Sequence, residues 1–418
     1  KFGGAFKGVS AEFLLAYCFR HVVKNSGIDP AQIDEVVAGN ICQPVANIAR
    51  VSALYAKVPH SIPARTVGRN CASGIEAVSS ACQAAAAGDG NVFLVGGTEN
   101  MSQVPYIMKD VRFGLKIQNY ILTDALWEGL FDPNVKQMMG RTAENVIQKW
   151  GITREEQDEY AVRSHQKALD AREKQKFDSQ ILPVKIQERI CIRKNDGSSD
   201  KVVVGNQVVH SQDESPNDRL AKSPGSAANA PAIFMNENIL DPVRSNMFID
   251  KTGAFVIERT IWDVGTVTPV NSCPMNDGAA ALLIMTEEKA VSLGLTPLAL
   301  VVSYAYAGCD PALMGEGPIF AVPKALSKAG LKIGDIDFFE LNEAFAGQSI
   351  ACQRGLNIPD EKLNVWGGAI ALGHPVGATG AILTIKAMHI LKENQKRYAA
   401  ITMCVGGGQG GCLIIERA

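Results

Sequence analysis

Several features that announce a partner are scarce in this 418-residue chain. Charged residues make up only 20%, the formal net charge is −2, and no polybasic stretch or acidic tail stands out. Nucleic acid and charged membrane surfaces are thereby excluded as main partners. No apolar run reaches bilayer length, because glycine or charge breaks the longest ones, so membrane insertion is excluded as well. The ten cysteines form no C-x-x-C pair and no His/Cys group at zinc spacing. That argues against a zinc module and a disulfide framework, and no metal site is expected. Scattered cysteines in a long chain fit a reducing compartment. A cytoplasmic setting is expected, with a mitochondrion or other organelle left open, since a targeting segment ahead of Lys1 would be invisible.

Glycine is what the chain has in quantity, and it is concentrated near reactive side chains. Segment 367–380 reads GGAIALGHPVGATG and holds His374; segment 404–411 reads CVGGGQGG and opens on Cys404. Glycines let a backbone approach a ligand and aim its N–H groups inward. A third segment, GRNCASG at 68–74, sets Cys71 before an Ala/Ser-rich helical run. Two cysteines and one histidine in such settings suggest acyl chemistry.

The chain also repeats itself. GIDPAQIDEVV at 27–37 resembles GLKIGDIDFF at 330–339, and each follows a helical pattern. Cys71 lies 44 positions after Gly27, and His374 lies 44 positions after Gly330. A helical run follows each reactive residue, over 72–87 and 380–392, and then an apolar strand, over 92–97 and 399–404. This predicts two α/β halves of common design related by a pseudo-twofold, each a mixed sheet covered by helices. The intervening sequence is more polar, with an amphipathic helix at 154–174, a turn at 194–201 and a proline-bearing exposed loop at 213–231.

Each candidate residue has two readings. Cys71 stands where unpaired N–H groups and the helix dipole favour thiolate, although a cysteine in a protein like this is more often a small buried hydrophobe. His374, between Gly373 and Pro375, is placed to be a general base from a rigid loop, or is bonded into a turn. Cys404 ends a strand, where it moves a proton beside the Gly406 and Gly407 amides, or simply packs. Asn342, after the strand at 338–339, marks an α/β ligand site or caps the next helix.

In this order the segments resemble the thiolases, coenzyme-A-dependent acetyl transferases. Further likenesses are KFGGAF at 1–6, GGTENMS at 96–102, MGRTAEN at 139–145, GTVT at 265–268 and NDGAA at 276–280. The resemblance implies a five-layer αβαβα fold: one half from 1–117 with 276–295, a loop domain at 118–275 over coenzyme A, and a second half at 296–418. It implies that Cys71 takes the acyl group while His374 draws off its proton, and that Cys404 removes the α-proton of acetyl-CoA. One oxyanion hole would be His374 with a water held by Asn342; the other, the N–H groups of Cys71 and Gly406. Ala344 and Phe345 would line the pantetheine channel, and Met314 would lie near the acyl end. Cys273 stands where the family has a pantetheine-contacting serine, and Met138 where many biosynthetic members have histidine. Trp366 replaces a usual asparagine, and no arginine follows Asp213-Glu214 as the family pattern expects. The family's first strand would precede Lys1. No cofactor is implied beyond coenzyme A thioesters, acetyl-CoA and acetoacetyl-CoA, as substrates; the implied assembly is a homotetramer, as a dimer of dimers, or a homodimer.

A ketoacyl synthase shares such a fold but lacks a second catalytic cysteine. A non-catalytic acyl-CoA scaffold is disfavoured by the intact set Cys71, Asn342, His374 and Cys404. A dinucleotide oxidoreductase is disfavoured because neither glycine segment forms G-x-G-x-x-G between strand and helix.

Overall fold

The computed structural model describes residues 1–117, 119–192, 201–223, 225–233, 245–249, 251–252, 255–259 and 265–418. Two four-stranded mixed sheets organise it. The first contains β1 (Glu35–Gly39), β2 (Ala64–Val67), β3 (Val92–Asn100) and β4 (Asp277–Met285), in the order β4-β3-β1-β2. β1 is parallel to β2 and β3, and β4 runs antiparallel to β3, with Ala280 opposite Gly97. The second contains β5 (Ala299–Gly308), β6 (Phe338–Leu341), β7 (Tyr398–Val405) and β8 (Gln409–Arg417), in the order β5-β8-β7-β6. β6 is parallel to β7, and β8 is antiparallel to β7. The pattern of the first sheet thus recurs, with β6, β7 and β8 standing for β1, β3 and β4. All of β3 is buried, as suits a largely apolar strand covered on both faces.

Seven helices position the rest: α1 (Ala11–Ser26), α2 (Ser73–Ala87), α3 (Met139–Trp150), α4 (Arg154–Glu173), α5 (Gly317–Ala329), α6 (Ala346–Leu356) and α7 (Thr379–Asn394). α1 covers the outer face of the first sheet and α5 that of the second, while α2 and α7 pack together between the sheets. The layers therefore run αβαβα. Where α2 meets α7 the backbones nearly touch. A Cβ on Gly74 would lie 2.6 Å from the Ala381 nitrogen, and one on Gly380 2.2 Å from the Ile75 nitrogen. No side chain fits at either position.

The described residues between 101 and 276 wrap one side of this frame. α3 and α4 pack on α6, and Thr153 caps α4 in a reciprocal bond with Glu156. Antiparallel strands Val184–Ile192 and Lys201–His210 follow; the turn expected over 194–201 falls outside the described residues save Lys201. The exposed loop expected over 213–231 is instead partly built: it forms helices Asp218–Lys222 and Gly225–Ala228. Leu220 and Ala227 are buried there against Val162 of α4. Three prolines masked that short apolar spacing.

One buried ion pair ties the second sheet to the central helices. Lys386 of α7 lies 2.7 Å from Glu340 of β6, both essentially without solvent exposure, and its ammonium also donates to the Gly367 carbonyl. Removing one partner strands the other charge, whereas replacing both need not. Lys386→Met should therefore lower stability by about 3–5 kcal/mol in urea unfolding, and adding Glu340→Met should restore most of it. Losses that simply add would show that the pair is not coupled.

Candidate active site

Cys71 sits in the turn between β2 and α2. Asn70 holds left-handed backbone (φ 43°), the Ala72 N–H donates to the Arg69 carbonyl, and the Ser73 N–H donates to the Asn70 carbonyl. The Gly406 N–H and the N–H of Cys71 itself both favour charge on the thiol, yet burial prevails and pushes it up to about 11. This corrects the expectation of a ready thiolate. α2 begins two residues later, at Ser73, and desolvation outweighs the donors near the sulfur.

His374 is presented between the one-turn helix Ala369–Leu372 and α7, on a bend where Gly373 has φ 99°. Its ring is buried, and Nδ1 lies 2.6 Å from Thr379 Oγ1. That hydroxyl donates its one hydrogen to the Pro375 carbonyl, so toward the ring it accepts. Nδ1 therefore carries the proton and Nε2 is the free base. Asn342 Nδ2 approaches Nε2 at 3.4 Å, which suits this tautomer. Burial pulls the imidazole down to about 4, so it is neutral at ordinary pH.

Asn342 follows β6 directly, and its N–H donates to the Thr402 carbonyl of β7. It does not cap α6, which starts at Ala346 with Phe345 as the flanking residue. Its side-chain oxygen is buried without a partner among the described residues, an acceptor left for something entering the site. The neighbouring Glu343 accepts from Tyr160, Ser164, Asn364 and the Ile370 N–H, and so joins α4 to the segment leading to His374.

Cys404 lies near the end of β7, fully buried. Burial, then the neighbouring thiols of Cys71, Cys352, Cys273 and Cys309, hold it well above the usual thiol range. The Gly406 N–H reaches toward Cys71, so the glycine loop after β7 joins the two cysteines.

Of the other candidates, Met314, Ala344 and Phe345 are buried in one cluster with Cys404. Cys273 adjoins them, its N–H donating to the Ala344 carbonyl. Met138 is buried, but it pairs with Phe131 in a short hairpin. Its neighbour Met139 is the residue at the glycine loop, with Sδ 3.3 Å from where a Gly406 Cβ would sit. Trp366 packs edge-on against Phe177.

Sequence reasoning passed over two supports. Thr379 fixes the histidine tautomer, and its only signal was a hydroxyl five residues beyond His374. Glu99, buried at the end of β3, accepts from Asn40 Nδ2 and the N–H groups of Ile41, Cys42 and Gly377. It pins the bend after His374 to the first half. Among the described residues no three His, Cys, Asp or Glu side chains group as metal ligands, and no helix is long and apolar enough to cross a membrane.

A neutral imidazole of fixed tautomer, a cysteine sulfur facing two backbone N–H groups and a second buried thiol make an arrangement suited to cysteine-based acyl transfer. Comparison with known proteins agrees. Residues 1–236 match the family Thiolase, N-terminal domain, and residues 295–417 match Thiolase, C-terminal domain. The chain belongs to the thiolase family of acyltransferases. It is 38% identical to a probable acetyl-CoA acyltransferase of Staphylococcus aureus (strain NCTC 8325 / PS 47), an alignment spanning 100% of this chain and 95% of that protein. The crystal structure of the Bacillus anthracis acetyl-CoA acetyltransferase superposes with TM-score 0.87 at 38% identity, covering 100% of this chain and 95% of that one. Human mitochondrial 3-ketoacyl-CoA thiolase, solved in complex with CoA, gives TM-score 0.86 at 33% identity, covering 100% and 94%.

Two measurements check this electrostatic picture. Single-turnover acetylation of Cys71 should hold its rate as pH falls through 6.5 and decline only toward about 4, because burial keeps His374 unprotonated; an acid limb at 6.5 would mean a solvated ring. Thr379→Val should slow acetylation by about 10²-fold through loss of the correct tautomer, while Thr379→Ser should stay close to the unaltered rate.

Proposed function

We propose that this protein is an acetyl-CoA C-acetyltransferase that interconverts two acetyl-CoA with acetoacetyl-CoA and CoA. The reading is supported by the Gly406 N–H and the buried Cys404 thiol beside Cys71, and by the Asn342–His374 pair, with His374 on a bend that beds against β1 and β3. Residues 1–117 with 276–295 and residues 296–418 serve as the two catalytic halves, and 118–275 is the part that covers coenzyme A.

In acylation the Cys71 sulfur attacks the thioester carbonyl as its proton passes to His374 Nε2. Collapse of the adduct expels CoA, which takes that proton. A free thiol near pKa 11 makes this coupled transfer necessary, since little thiolate exists beforehand. The adduct oxygen is received by the Cys71 and Gly406 N–H groups, and one such donor is worth about 3–4 kcal/mol in related sites. For condensation, Cys404 as thiolate removes an α-proton from a second acetyl-CoA. The enolate carbon attacks the Cys71 thioester, the Cys71 sulfur leaves as thiolate, and the proton now on Cys404 passes to it, which restores the Cys71 thiol and the Cys404 base. The enolate oxygen is met by a water held at Asn342 Oδ1, since neutral His374 presents only the lone pair of Nε2. In the cleavage direction Cys404 starts as the thiol, the form its burial favours, and protonates the departing enolate.

A second reading, a broad-specificity 3-ketoacyl-CoA thiolase, draws support from the likeness to the human enzyme. Buried Met314 and the placement of Met139 at Gly406 favour the short-chain reading, since compliant thioethers fill the space that a longer acyl chain needs.

Mass spectrometry after incubation with acetyl-CoA should find acetyl on Cys71 alone, and none in Cys71→Ser; label elsewhere overturns the assignment. Cys404→Ala should still acetylate Cys71 but fail to exchange the α-protons of acetyl-CoA with deuterated solvent. Acetoacetyl-CoA should be the best thiolysis substrate, with kcat/KM falling by about 10-fold or more per added methylene pair. Equal turnover of long-chain 3-ketoacyl-CoAs would instead select the second reading.

A further inference from the structure

Asn70, the residue before Cys71, is exposed, yet several bonds hold it. Its backbone lies in the left-handed region at φ 43°, which asparagine tolerates better than most residues. Ser73 Oγ donates to the Asn70 carbonyl at 2.7 Å and accepts from the Arg69 N–H at 2.9 Å, so the turn is locked on both sides. Arg69 anchors that turn to both halves. Its Nε donates to Glu76 of α2, its Nη1 to Gln409 at the start of β8, and its guanidinium stacks 4.0 Å above the Tyr306 ring of β5. The strained turn aims Asn70 Nδ2 across to the other half, where it donates to the Gly406 carbonyl at 2.8 Å.

Gly406 sits in the loop after Cys404, lacks a side chain, and supplies an N–H at the Cys71 sulfur. Nothing about its own φ, ψ preferences would fix the direction of that N–H. The bond from Asn70 restrains Gly406 at its carbonyl, across the Cα from that N–H, and comes from the residue adjoining the other donor, the N–H of Cys71. We propose that Asn70 is a positioning residue, which sets the spacing and direction of the Cys71 and Gly406 N–H groups as one oxyanion-binding unit by lashing the two reactive loops together. Its effect falls on steps that build charge on the Cys71 adduct, and not on α-proton removal, which uses Cys404 with the Asn342–His374 side.

This inference rests on the acyl-enzyme reading above, and the test separates the two. Asn70→Gly keeps the left-handed turn but deletes the donor. Asn70→Asp keeps shape and turn tolerance but sets an acceptor against the Gly406 carbonyl. In full-length protein with acetyl-CoA as probe, rapid-quench mass spectrometry should show Cys71 acetylation slowed about 10-fold in Asn70→Gly and about 100-fold in Asn70→Asp. Under saturating acetyl-CoA, solvent exchange of α-protons should change by less than about threefold, so that the two rates part company. Thermal midpoints should stay near that of the unaltered protein, since glycine accepts positive φ without strain. Acetylation at the unaltered rate in both variants, or an equal fall in acetylation and exchange, overturns the positioning role. Absence of acetyl-Cys71 in the unaltered protein would overturn the parent reading instead.

Discussion

The close crossing of α2 and α7 is the constraint on which the rest of the molecule depends. Gly74 and Gly380 hold equivalent places in the two halves, and each stands where a single Cβ would collide with the other helix's backbone. Because the helices meet at their first turns, the residues just ahead of them, Cys71 and His374, come to the same region. Further glycines extend the contact. A Cβ on Gly97 would lie 2.0 Å from the Gly377 carbonyl oxygen, and one on Gly39 2.6 Å from it, so the bend after His374 beds directly on β1 and β3. Glu99 then ties that bend down through the Gly377 N–H. The duplicated design is therefore the means by which Cys71 and His374, 303 positions apart in the chain, are brought to one region.

Burial sets the resting state of that site. His374 and the cysteine thiols are all pushed toward their neutral forms, which a solvated site would not do. The chemistry then relies on donors fixed in advance, because charge arises only as bonds change. This explains the density of supporting bonds around groups that touch no reacting atom. Thr379 fixes a proton on one ring nitrogen, Glu343 joins β6 to the approach to His374, and Lys386 with Glu340 joins β6 to α7. Glu343 and Lys386 link elements distant in sequence within the second half, whereas Thr379 acts inside the loop that carries His374.

Membership of the thiolase family gives these features a common purpose. The chain shares its architecture with an acetyl-CoA acetyltransferase and with a 3-ketoacyl-CoA thiolase at similar identity, so the fold leaves acyl-chain length to side chains near the reacting cysteines. Here Met139 lies beside Gly406, and Met314 is buried in the cluster with Cys404. Thioether side chains fill space without a fixed shape, which suits graded selectivity better than a sharp cutoff.

The sequence by itself determined the local design: strand and helix order, the repeated 44-residue spacing, the glycine-framed histidine and the cysteine after a buried strand. Those follow from periodicity, from glycine and proline at bends, and from reactive side chains set among them, all readable within a few dozen residues. The helices at 218–222 and 225–228 escaped notice because prolines and polar residues hid a few apolar contacts. What the tertiary structure alone decided is how the pieces act on one another. Asn342 proved to face His374 rather than cap a helix, Met139 rather than Met138 reached the glycine loop, and Cys71 rested as a thiol despite the helix beside it. Burial and the meeting of Cys71 with the Gly406 N–H depend on neighbours hundreds of residues away, and the tautomer turns on how the Thr379 hydroxyl meets the ring, so no local pattern carries that information.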